Sequence, residues 1–554
     1  MMPKRQWVVA VWSLLGAACN KDPRLGPLLP PCTASGDSVN LAVAAYVAVD
    51  PGADSGCIVF PANASGSPIE YLLMPQAANG VPDASSSFLL VGTALAAVPP
   101  TAVPSVVAPP LPAQLQFDLA LRRTEYDLAR RLAVPAAPAQ RSPVVTTINP
   151  GDRRTFKVCG DSLCITHPTV VAFAKTVGLH VVVFQDSVDQ KAGDTLKTAD
   201  LDTLAAVFDT LLYPRDTSAF GRESDVDGNG KVLVLMTGKV NSLVPKGCPA
   251  GFIAGYFYGG DLIQGFSGGN YAEIFYSLVP DPSGALSCPH SASGVKHTVP
   301  GTFIHEFQHM ISWGHHVLNG NGAPEDLWLN EGLSHYAEEM GARIFTPGDS
   351  TTFCYFMFGD LYNSYLYLSS PQSYFLVDTA GIGGLANRGA YWLFVRFVVD
   401  QFSSDTFTAS NDAVTRALDM TSLTGAANVA NATGTPFATV VEHWALANYV
   451  SDLPGLMPPS ELQYMKWRFR ADYPAIHNRC LAVSGSFPSA YPLFPITGTG
   501  SGTDLSGTLR GGSGTYYIAQ HAAGAPGFTL LFSDGSGRAL RSSLLPRLNV
   551  IRIQ

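Results

Sequence analysis

Two short stretches organise this chain: HEFQH at residues 305–309 and WLNEGLS at residues 328–334. On a helix, positions four apart lie one turn above each other, so His305 and His309 point the same way and can bind one metal ion, for which zinc is well suited. Glu306 lies beside this pair without belonging to it, where it can take a proton from a water molecule held by the metal. The first stretch therefore predicts a metal site with a general base next to it.

The second stretch supplies what such a site lacks, because a catalytic zinc needs a third protein ligand and an open fourth position. Glu331 is the predicted third ligand, since the chain between it and His309 is long enough to return as an antiparallel second helix. Glu338 falls on the same face two turns later and is predicted to accept a hydrogen bond from the outer nitrogen of a ligating histidine. Its neighbour Glu339 is predicted to face solvent.

Helix signals flank both stretches. Thr298 is predicted to cap the helix that carries HEFQH, Pro300 suits its first turn, and Gly314 suits its end. The second helix is predicted over residues 328–340, with Gly341 ending it. We therefore expect two packed helices whose metal ligands face each other.

These residues resemble the gluzincin metallopeptidases, in which zinc is held by H-E-x-x-H and by a glutamate in an N-E-x-x-S or W-L-N-E-G element. Within that group the chain is most similar to the hyicolysin-type secreted peptidases, which share HEFQHM followed by WLNEGLS. The resemblance covers residues 195–455. It implies a zinc peptidase with polypeptide substrates, in which His305, His309 and Glu331 bind zinc and Glu306 is the catalytic base.

The resemblance also bears on how substrate is held. Tyr271–Tyr276 is predicted to be a strand ahead of the metal helix, and similar peptidases place a sheet edge there along their clefts. An exposed edge can hold an extended peptide by main-chain hydrogen bonds, with Glu273 facing the amino end of the substrate. Aminopeptidase relatives carry G-x-M-E-N at this place, whereas this chain has NYAEI at residues 270–274. The difference favours an endopeptidase.

Such a peptidase needs a donor besides zinc to hold the developing oxyanion. The candidates, in falling order of preference, are Tyr391, Tyr374 and His335. For each of them a packed core side chain is the alternative interpretation.

The sequence DVDGNG at residues 225–230 matches the first half of a calcium-binding loop, in which oxygen-bearing side chains alternate and a glycine follows. The predicted calcium ligands are Asp225, Asp227 and Asn229. The second half of the loop does not match, because Met236, in a predicted strand, takes the place of the bidentate glutamate. A glycine-rich turn between a helix and a strand is therefore the alternative.

Two other functions stay open from the sequence. GFSGG at residues 265–269 fits the G-x-S-x-G pattern of serine esterases, with Ser267 as nucleophile, although that pattern needs a strand before it and a helix after it. The other alternative is an exported binding or adhesion protein with a vestigial metal site. An intact base beside three intact ligands argues against it, because a closed structural site has no use for Glu306.

Composition narrows the class of protein. The chain has 554 residues, 46% hydrophobic and 14% charged, as expected for several folded domains. Its net charge of -9 comes without a basic stripe, which argues against nucleic acid as a partner. The even set of cysteines after Cys19 favours disulfides in an exported chain. Nearness in sequence predicts four pairs: Cys32 with Cys57, Cys159 with Cys164, Cys248 with Cys288, and Cys354 with Cys480.

Residues 1–19 combine two basic residues with an apolar run, Trp7 to Ala18, that is too short to span a bilayer. They are predicted to be an export signal. The residues before Cys19 are close to a bacterial lipoprotein cleavage site, so a lipid at Cys19 is the one predicted attachment to a membrane. A plain secretory signal is the alternative. The predicted location is secreted, or lipid-anchored to the bacterial cell envelope.

The predicted fold class is α+β: a zincin-type metallopeptidase catalytic domain flanked by N- and C-terminal all-β domains. The zincin type follows from the resemblance, whereas the β domains follow from short apolar runs broken by turn residues. Between them, residues 117–132 form a predicted amphipathic helix whose arginines, Arg122 and Arg123 among them, are expected to face solvent. The predicted units are a signal or lipoprotein peptide (1–19), an N-terminal β domain (20–98), Pro-rich linkers with the amphipathic helix (99–145), a β segment (146–195), the zinc peptidase domain (196–455) and a C-terminal β domain (456–554).

Overall fold

The computed structural model describes residues 27–32, 36–53, 55–93, 111–132, 147–188, 195–320, 322–346, 348–379, 384–403 and 413–554. The predicted export signal and the lipid site at Cys19 lie outside these residues. Within the described ranges, no helix combines the length and the apolar character that crossing a membrane requires. The structure contains both helices and sheets, which is compatible with the predicted α+β class.

The strands of the described residues are β1 (Asp37–Ser38), β2 (Tyr46–Val49), β3 (Cys57–Phe60), β4 (Ile69–Ala77), β5 (Ser85–Gly92), β6 (Arg153–Lys157), β7 (Thr169–Val177), β8 (Val181–Asp186), β9 (Val232–Met236), β10 (Gly255–Phe257), β11 (Ile274–Ser277), β12 (Ile496–Thr499), β13 (Asp504–Arg510), β14 (Tyr517–His521), β15 (Phe528–Asp534) and β16 (Pro546–Arg552). The α-helices are α1 (Ala113–Leu132), α2 (Thr198–Val207), α3 (Tyr213–Phe220), α4 (Gly238–Asn241), α5 (Ala292–Trp313), α6 (Leu327–Phe345), α7 (Ser350–Ser369), α8 (Leu385–Phe402), α9 (Ala413–Asp419), α10 (Gly425–Thr433), α11 (Phe437–Val450) and α12 (Phe469–Cys480).

The N-terminal and C-terminal strands form one unit, which corrects the prediction of two separate β domains. Two five-stranded sheets have the orders β1-β3-β15-β5-β13 and β12-β14-β4-β16-β2. β15 lies between β3 and β5, and β16 lies between β4 and β2. Both sheets contribute to one hydrophobic core that includes Phe60, Leu73, Phe532 and Val550. Each sheet therefore contains strands from both ends of the chain.

The remaining sheet has six strands in the order β10-β11-β9-β8-β7-β6. Its middle strands β8, β9 and β11 run parallel to one another, and every residue of β9 is buried, as expected for a strand that is covered on both faces. The predicted strand at Tyr271–Tyr276 begins only at Ile274, as β11, and it lies inside the sheet. The edge next to α5 is β10, which corrects the predicted position of the edge strand.

Helix α5 is longer at its start than predicted. Ser291 caps it by accepting a hydrogen bond from Gly294 N (3.0 Å), so Thr298 and Pro300 lie inside the helix. After Trp313 the chain continues as a π-helix over Gly314–Asn319. Gly314 therefore does not end the helical segment.

Helix α6 is longer at its end, because Gly341 does not terminate it. A Cβ atom at residue 341 would lie 2.5 Å from Phe356 Cε1 of α7. The glycine allows the two helices to approach closely. In the sequence its position resembles a helix C-cap, so the pattern does not reveal this packing role.

All four predicted disulfides are confirmed. They are Cys32–Cys57, Cys159–Cys164, Cys248–Cys288 and Cys354–Cys480. The disulfide Cys354–Cys480 links α7 to α12. Cys480 falls in the predicted C-terminal β domain (456–554), so the disulfide connects part of that predicted domain to helix α7.

Candidate metal centre

Helices α5 and α6 bring three metal-binding side chains around one point. His305 and His309 lie one turn apart on α5, and their Nε2 atoms are 3.1 Å apart. Glu331, in the first half of α6, has Oε2 at 3.8 Å from His305 Nε2 and Oε1 at 3.7 Å from His309 Nε2. The structure thus places together the three residues that the sequence predicted as ligands.

The position of Glu331 follows from close packing between α6 and α8. Its neighbour Gly332 has no Cβ, and a Cβ there would lie 2.8 Å from Val395 Cγ2 and 2.9 Å from Tyr391 O. Trp328, Leu329 and Leu333 on α6 are fully buried. The backbone of α6 therefore sits against α8, with the carboxylate of Glu331 directed towards α5.

Both histidines are held by their outer nitrogens. His305 Nδ1 lies 2.6 Å from Glu338 Oε1, the hydrogen bond that the sequence predicted, and His309 Nδ1 lies 2.5 Å from Asn330 Oδ1. Carboxylate and carbonyl oxygens accept, so each Nδ1 donates, and in the neutral imidazole each Nε2 keeps its lone pair. Both free nitrogens face Glu331, as metal ligands require.

The surroundings of Glu331 fit a cation. The residue is 1% exposed, and neither carboxylate oxygen accepts a hydrogen bond from the described residues. Arg388 Nη2 lies 3.2 Å from Oε2, and although burial raises the pKa of Glu331, attraction by Arg388 and by His309 lowers it overall. Glu331 is therefore a buried carboxylate, and two imidazole nitrogens with one carboxylate form a known zinc donor set.

Glu306 lies between this centre and the sheet edge. Its Oε2 accepts a hydrogen bond from Phe257 N of β10 (2.7 Å). Burial raises the pKa of Glu306 to about 7, against the opposing attraction of His305. The cleft beside it has a volume of about 170 Å³, and its lining includes His305, Tyr355 and Arg388. A carboxyl group of this pKa can accept and release a proton near neutral pH.

The predicted oxyanion donors do not line this cleft. Tyr391 is buried and donates its hydroxyl to Asp378 Oδ1 (2.5 Å), and Tyr374 lies near Tyr367 with ring centroids 6.5 Å apart. Side chains that line the cleft and can donate a hydrogen bond include Tyr355 and Arg388. Sequence reasoning missed both, because neither lies in a recognisable motif.

His335 lies behind the centre, not in the cleft. Its Nδ1 is 3.1 Å from Glu338 Oε1 and 3.0 Å from Asp360 Oδ1. Burial lowers the pKa of His335, but attraction by Glu338 and the close contact with Asp360 raise it to about 10. A charged His335 keeps Glu338 ionised, and so supports the carboxylate that orients His305.

Glu339 corrects the prediction of a solvent-facing residue. It is fully buried and accepts hydrogen bonds from Trp392 Nε1 (3.1 Å) and Trp467 Nε1 (2.8 Å). Arg343 and Arg396 form ion pairs with it. Pairing with Arg343 of the same helix and with Arg396 of α8 explains the burial.

A second group of carboxylates occurs where the sequence predicted calcium ligands. One oxygen each from Asp225, Asp227 and Glu273 lie within 4.8 Å of one another. Asp225 Oδ1 accepts a hydrogen bond from Gly230 N (3.0 Å), which closes the loop upon itself. Asn229 Nδ2 donates to Asp227 Oδ2 (2.7 Å). Glu273 comes from a distant part of the chain, so the motif alone did not reveal it.

The position of Glu273 corrects its predicted contact with the amino end of a substrate. It is 1% exposed, and Oε1 accepts hydrogen bonds from Ser224 Oγ (2.7 Å) and Val226 N (2.8 Å). Oε2 has no hydrogen-bond partner among the described residues. Burial, with repulsion from Asp227, raises the pKa of Glu273 to about 7. Its carboxylate belongs to the acidic cluster, away from the cleft.

Ser267 is exposed on a segment of turns and bends between a short 3-10 helix and β11. The strand before and helix after that a serine nucleophile elbow requires are not there.

Comparison with known proteins gives one finding that bears on function. The chain is similar to the neutral metalloprotease ShpI of Staphylococcus hyicus, with 31% identity over 134 residues. The matched part is 24% of this chain and 29% of the relative, so the chain spans less than a third of the length of the curated relative that it matches. No protein-family model matches the chain. The similarity supports a metallopeptidase family.

Proposed function

We propose that this chain is an exported zinc-dependent endopeptidase of the gluzincin type. The observation that carries the proposal is the convergence of His305 Nε2, His309 Nε2 and the carboxylate of Glu331 beside a cleft that contains Glu306. The similarity to a metalloprotease supports the same conclusion.

The chemistry follows from these groups. His305, His309 and Glu331 would hold the zinc, which when bound would supply a Lewis acid for the scissile carbonyl and for the attacking water. Glu306 takes the proton of that water and passes it to the leaving amine. The hydrogen bond from Phe257 N holds the Glu306 carboxylate in place. Burial of this carboxylate, which raises its pKa, makes it a stronger base for the first step.

The edge strand β10 suits a polypeptide substrate. Its outer side is next to Glu306, so an extended chain that pairs with β10 would bring a peptide bond to the cleft. The burial of Glu273 in the acidic cluster leaves it unable to bind a substrate amino terminus. This supports cleavage within chains, as the sequence at residues 270–274 predicted.

Export is proposed from the cysteines and the N-terminal sequence. Four disulfides fit an oxidising compartment outside the cytoplasm. Residues 1–19 are the proposed export signal, and Cys19 is the proposed site of a lipid anchor in the cell envelope.

A structural calcium ion is proposed at Asp225, Asp227 and Asn229, with Glu273 as an additional ligand. In an EF-hand loop, a glutamate at the twelfth position completes the set, and Met236 cannot serve in this way. Glu273 supplies that carboxylate from the residue before β11. Its unpartnered Oε2 supports a cation in the cluster, since a buried carboxylate without a partner is costly.

A casein digest tests the enzyme proposal. The zinc-loaded chain should cleave casein, a chelator should stop cleavage, and added zinc should restore it. Glu331→Ala should lose both bound zinc and cleavage. Cleavage that persists with the chelator but disappears in Ser267→Ala would support the serine esterase instead. Zinc bound without any cleavage would support the binding protein.

A further inference from the structure

Helix α1 lies along the edge strand β10, and among its buried residues three are charged, although others such as Phe117 and Leu121 pack into the hydrophobic core. Asp118 and Arg122 are each 7% exposed, and Glu125 is 1% exposed. Arg122 corrects the expectation of a solvated arginine, whereas its neighbour Arg123 is exposed as expected. Three charged side chains that are buried so close together on one helix require specific partners.

One set of partners is the backbone of the edge strand. Gln114 Oε1 accepts a hydrogen bond from Ala254 N (2.8 Å), and Gln114 Nε2 donates to Gly255 O (3.0 Å). A single side-chain amide thus makes two bonds to the strand, as the N–H and C=O of one residue of an added strand would.

The same pattern continues towards the metal centre. Arg122 Nη2 donates to Phe257 O (2.9 Å), and Glu125 Oε1 accepts from Gly259 N (2.7 Å). Arg122 Nη1 also lies 3.0 Å from Glu125 Oε2, so the two charges pair with each other. Side chains of α1 therefore satisfy main-chain groups of β10 and its flanks that would otherwise be open to an extended peptide.

The second partner of α1 is the cleft itself. Asp118 lines the cleft together with His305 and Glu306. Its Oδ2 lies 2.5 Å from Arg388 Nη2, the guanidinium that also contacts Glu331. The Asp118 carboxylate of α1 is thus paired with Arg388, the one arginine among the described residues that line the cleft.

We infer that α1 is an internal inhibitor that occupies the place of the substrate main chain along β10, and that it must leave this edge before a polypeptide can bind. The inference rests on the proposed peptidase function of the cleft. Its contacts with the edge are polar, and the same groups would be hydrated once α1 is displaced. Apolar contacts hold α1 in place: Phe117 packs against Tyr256, with ring centroids 5.0 Å apart, and Leu121 and Leu128 are buried in the same core. These contacts must also open when α1 leaves the edge.

The test compares full-length chains that carry Gln114→Ala or Arg122→Ala with a control, Arg123→Ala, on the exposed side of the same helix. The first measurement is amide hydrogen exchange of residues 254–259 in metal-free protein, which needs no catalysis. Exchange should be at least about ten-fold faster in both test variants and unchanged in the control, because Gln114 and Arg122 hold α1 over the strand. Gln114→Ala removes no charge, and it serves if Arg122→Ala fails to fold.

The second measurement is the rate of cleavage of fluorescein-labelled casein by the zinc-loaded chains. It should rise at least about ten-fold in the test variants and stay within about two-fold of wild type in the control, since the rate follows the fraction of molecules with an open edge. Faster exchange without faster cleavage, in chains that do cleave casein, overturns the inference. Unchanged exchange in both test variants overturns it as well. Faster exchange with no cleavage by any chain, wild type included, supports α1 as the cover of β10 and refutes the proposed peptidase.

Discussion

Glu338 accepts a hydrogen bond from His305, with Oε1 2.6 Å from Nδ1, and thereby fixes the orientation of a candidate zinc ligand. Glu338→Ala should weaken zinc binding by about 10- to 100-fold, because the imidazole loses its orienting partner. Glu338→Gln keeps an accepting oxygen and should lose less. Competition with a chromophoric chelator measures the affinity of each chain. Equal affinities for wild type and Glu338→Ala would show that the hydrogen bond does not serve the metal.

Calcium should stabilise the wild-type protein through Glu273. The buried carboxylate faces two aspartates, and a divalent cation removes their mutual repulsion. We expect calcium to raise the thermal midpoint of wild type, and to leave that of Glu273→Gln unchanged. Asp202→Asn, at an exposed carboxylate outside the cluster, is the matched control and should respond like wild type. A calcium response that survives in Glu273→Gln would place the ion elsewhere.

The disulfide Cys354–Cys480 should contribute more to stability than Cys159–Cys164. Their sequence separations are 126 and 5 residues, for which the chain-entropy relation gives about 5 and about 2 kcal/mol. Replacing both cysteines of the first pair by alanine should therefore reduce the free energy of unfolding by about 3 kcal/mol more than the same change in the second. Urea unfolding of the two double variants measures the difference. A larger loss for the short loop would contradict the prediction.

Asp216 should make the protein less stable as the pH rises. It is fully buried on α3, and neither oxygen has a hydrogen-bond partner among the described residues. Burial, and then repulsion from Asp419, raises the pKa of Asp216 well above 3.8. The folded state therefore keeps a proton that the unfolded state releases, so this stability is present below the unfolded pKa and is lost as pH rises through the folded one.

The check on Asp216 is the urea midpoint at about pH 5 and at about pH 8. The midpoint should fall less between these values in Asp216→Asn than in wild type. Asp127→Asn, on the exposed side of α1, should keep the wild-type fall. An unchanged fall in Asp216→Asn would mean that this carboxyl is not the group that titrates.

The parts of the centre that the sequence predicted are those fixed by local geometry. Spacing on one helix places His305 beside His309, and two turns of another helix place Glu338 on the face of Glu331. Arg388 was not predicted, since its contact with Glu331 depends on how α8 packs against α6.

The positions of Arg122 and Glu273 also depend on packing between distant elements, so the sequence did not predict them. On a helix or next to a strand, a charged residue is normally expected to face solvent, and the partners that bury these two come from distant elements. Their roles could be seen only once the neighbours were known.

At the level of the fold, individual elements were predictable and their pairing was not. Short apolar runs predict strands near both ends of the chain, in the regions where β5 and β15 lie. Their antiparallel pairing, such as Phe532 with Leu90, leaves no local signal. The strands of the two predicted β domains therefore form one unit in the structure. By contrast, the disulfides joined cysteines that were neighbours in order along the chain, and nearness was enough to predict them.

The most direct test of the central claim is the rate of casein cleavage per bound zinc in wild type and in Glu306→Gln. Glutamine has nearly the same shape and can still accept the hydrogen bond from Phe257 N, but it cannot take a proton from water. We expect equal zinc content in the two chains and cleavage at least about 100-fold slower in the variant. Equal cleavage per zinc in the two chains, or undiminished cleavage by zinc-free wild type, would contradict it.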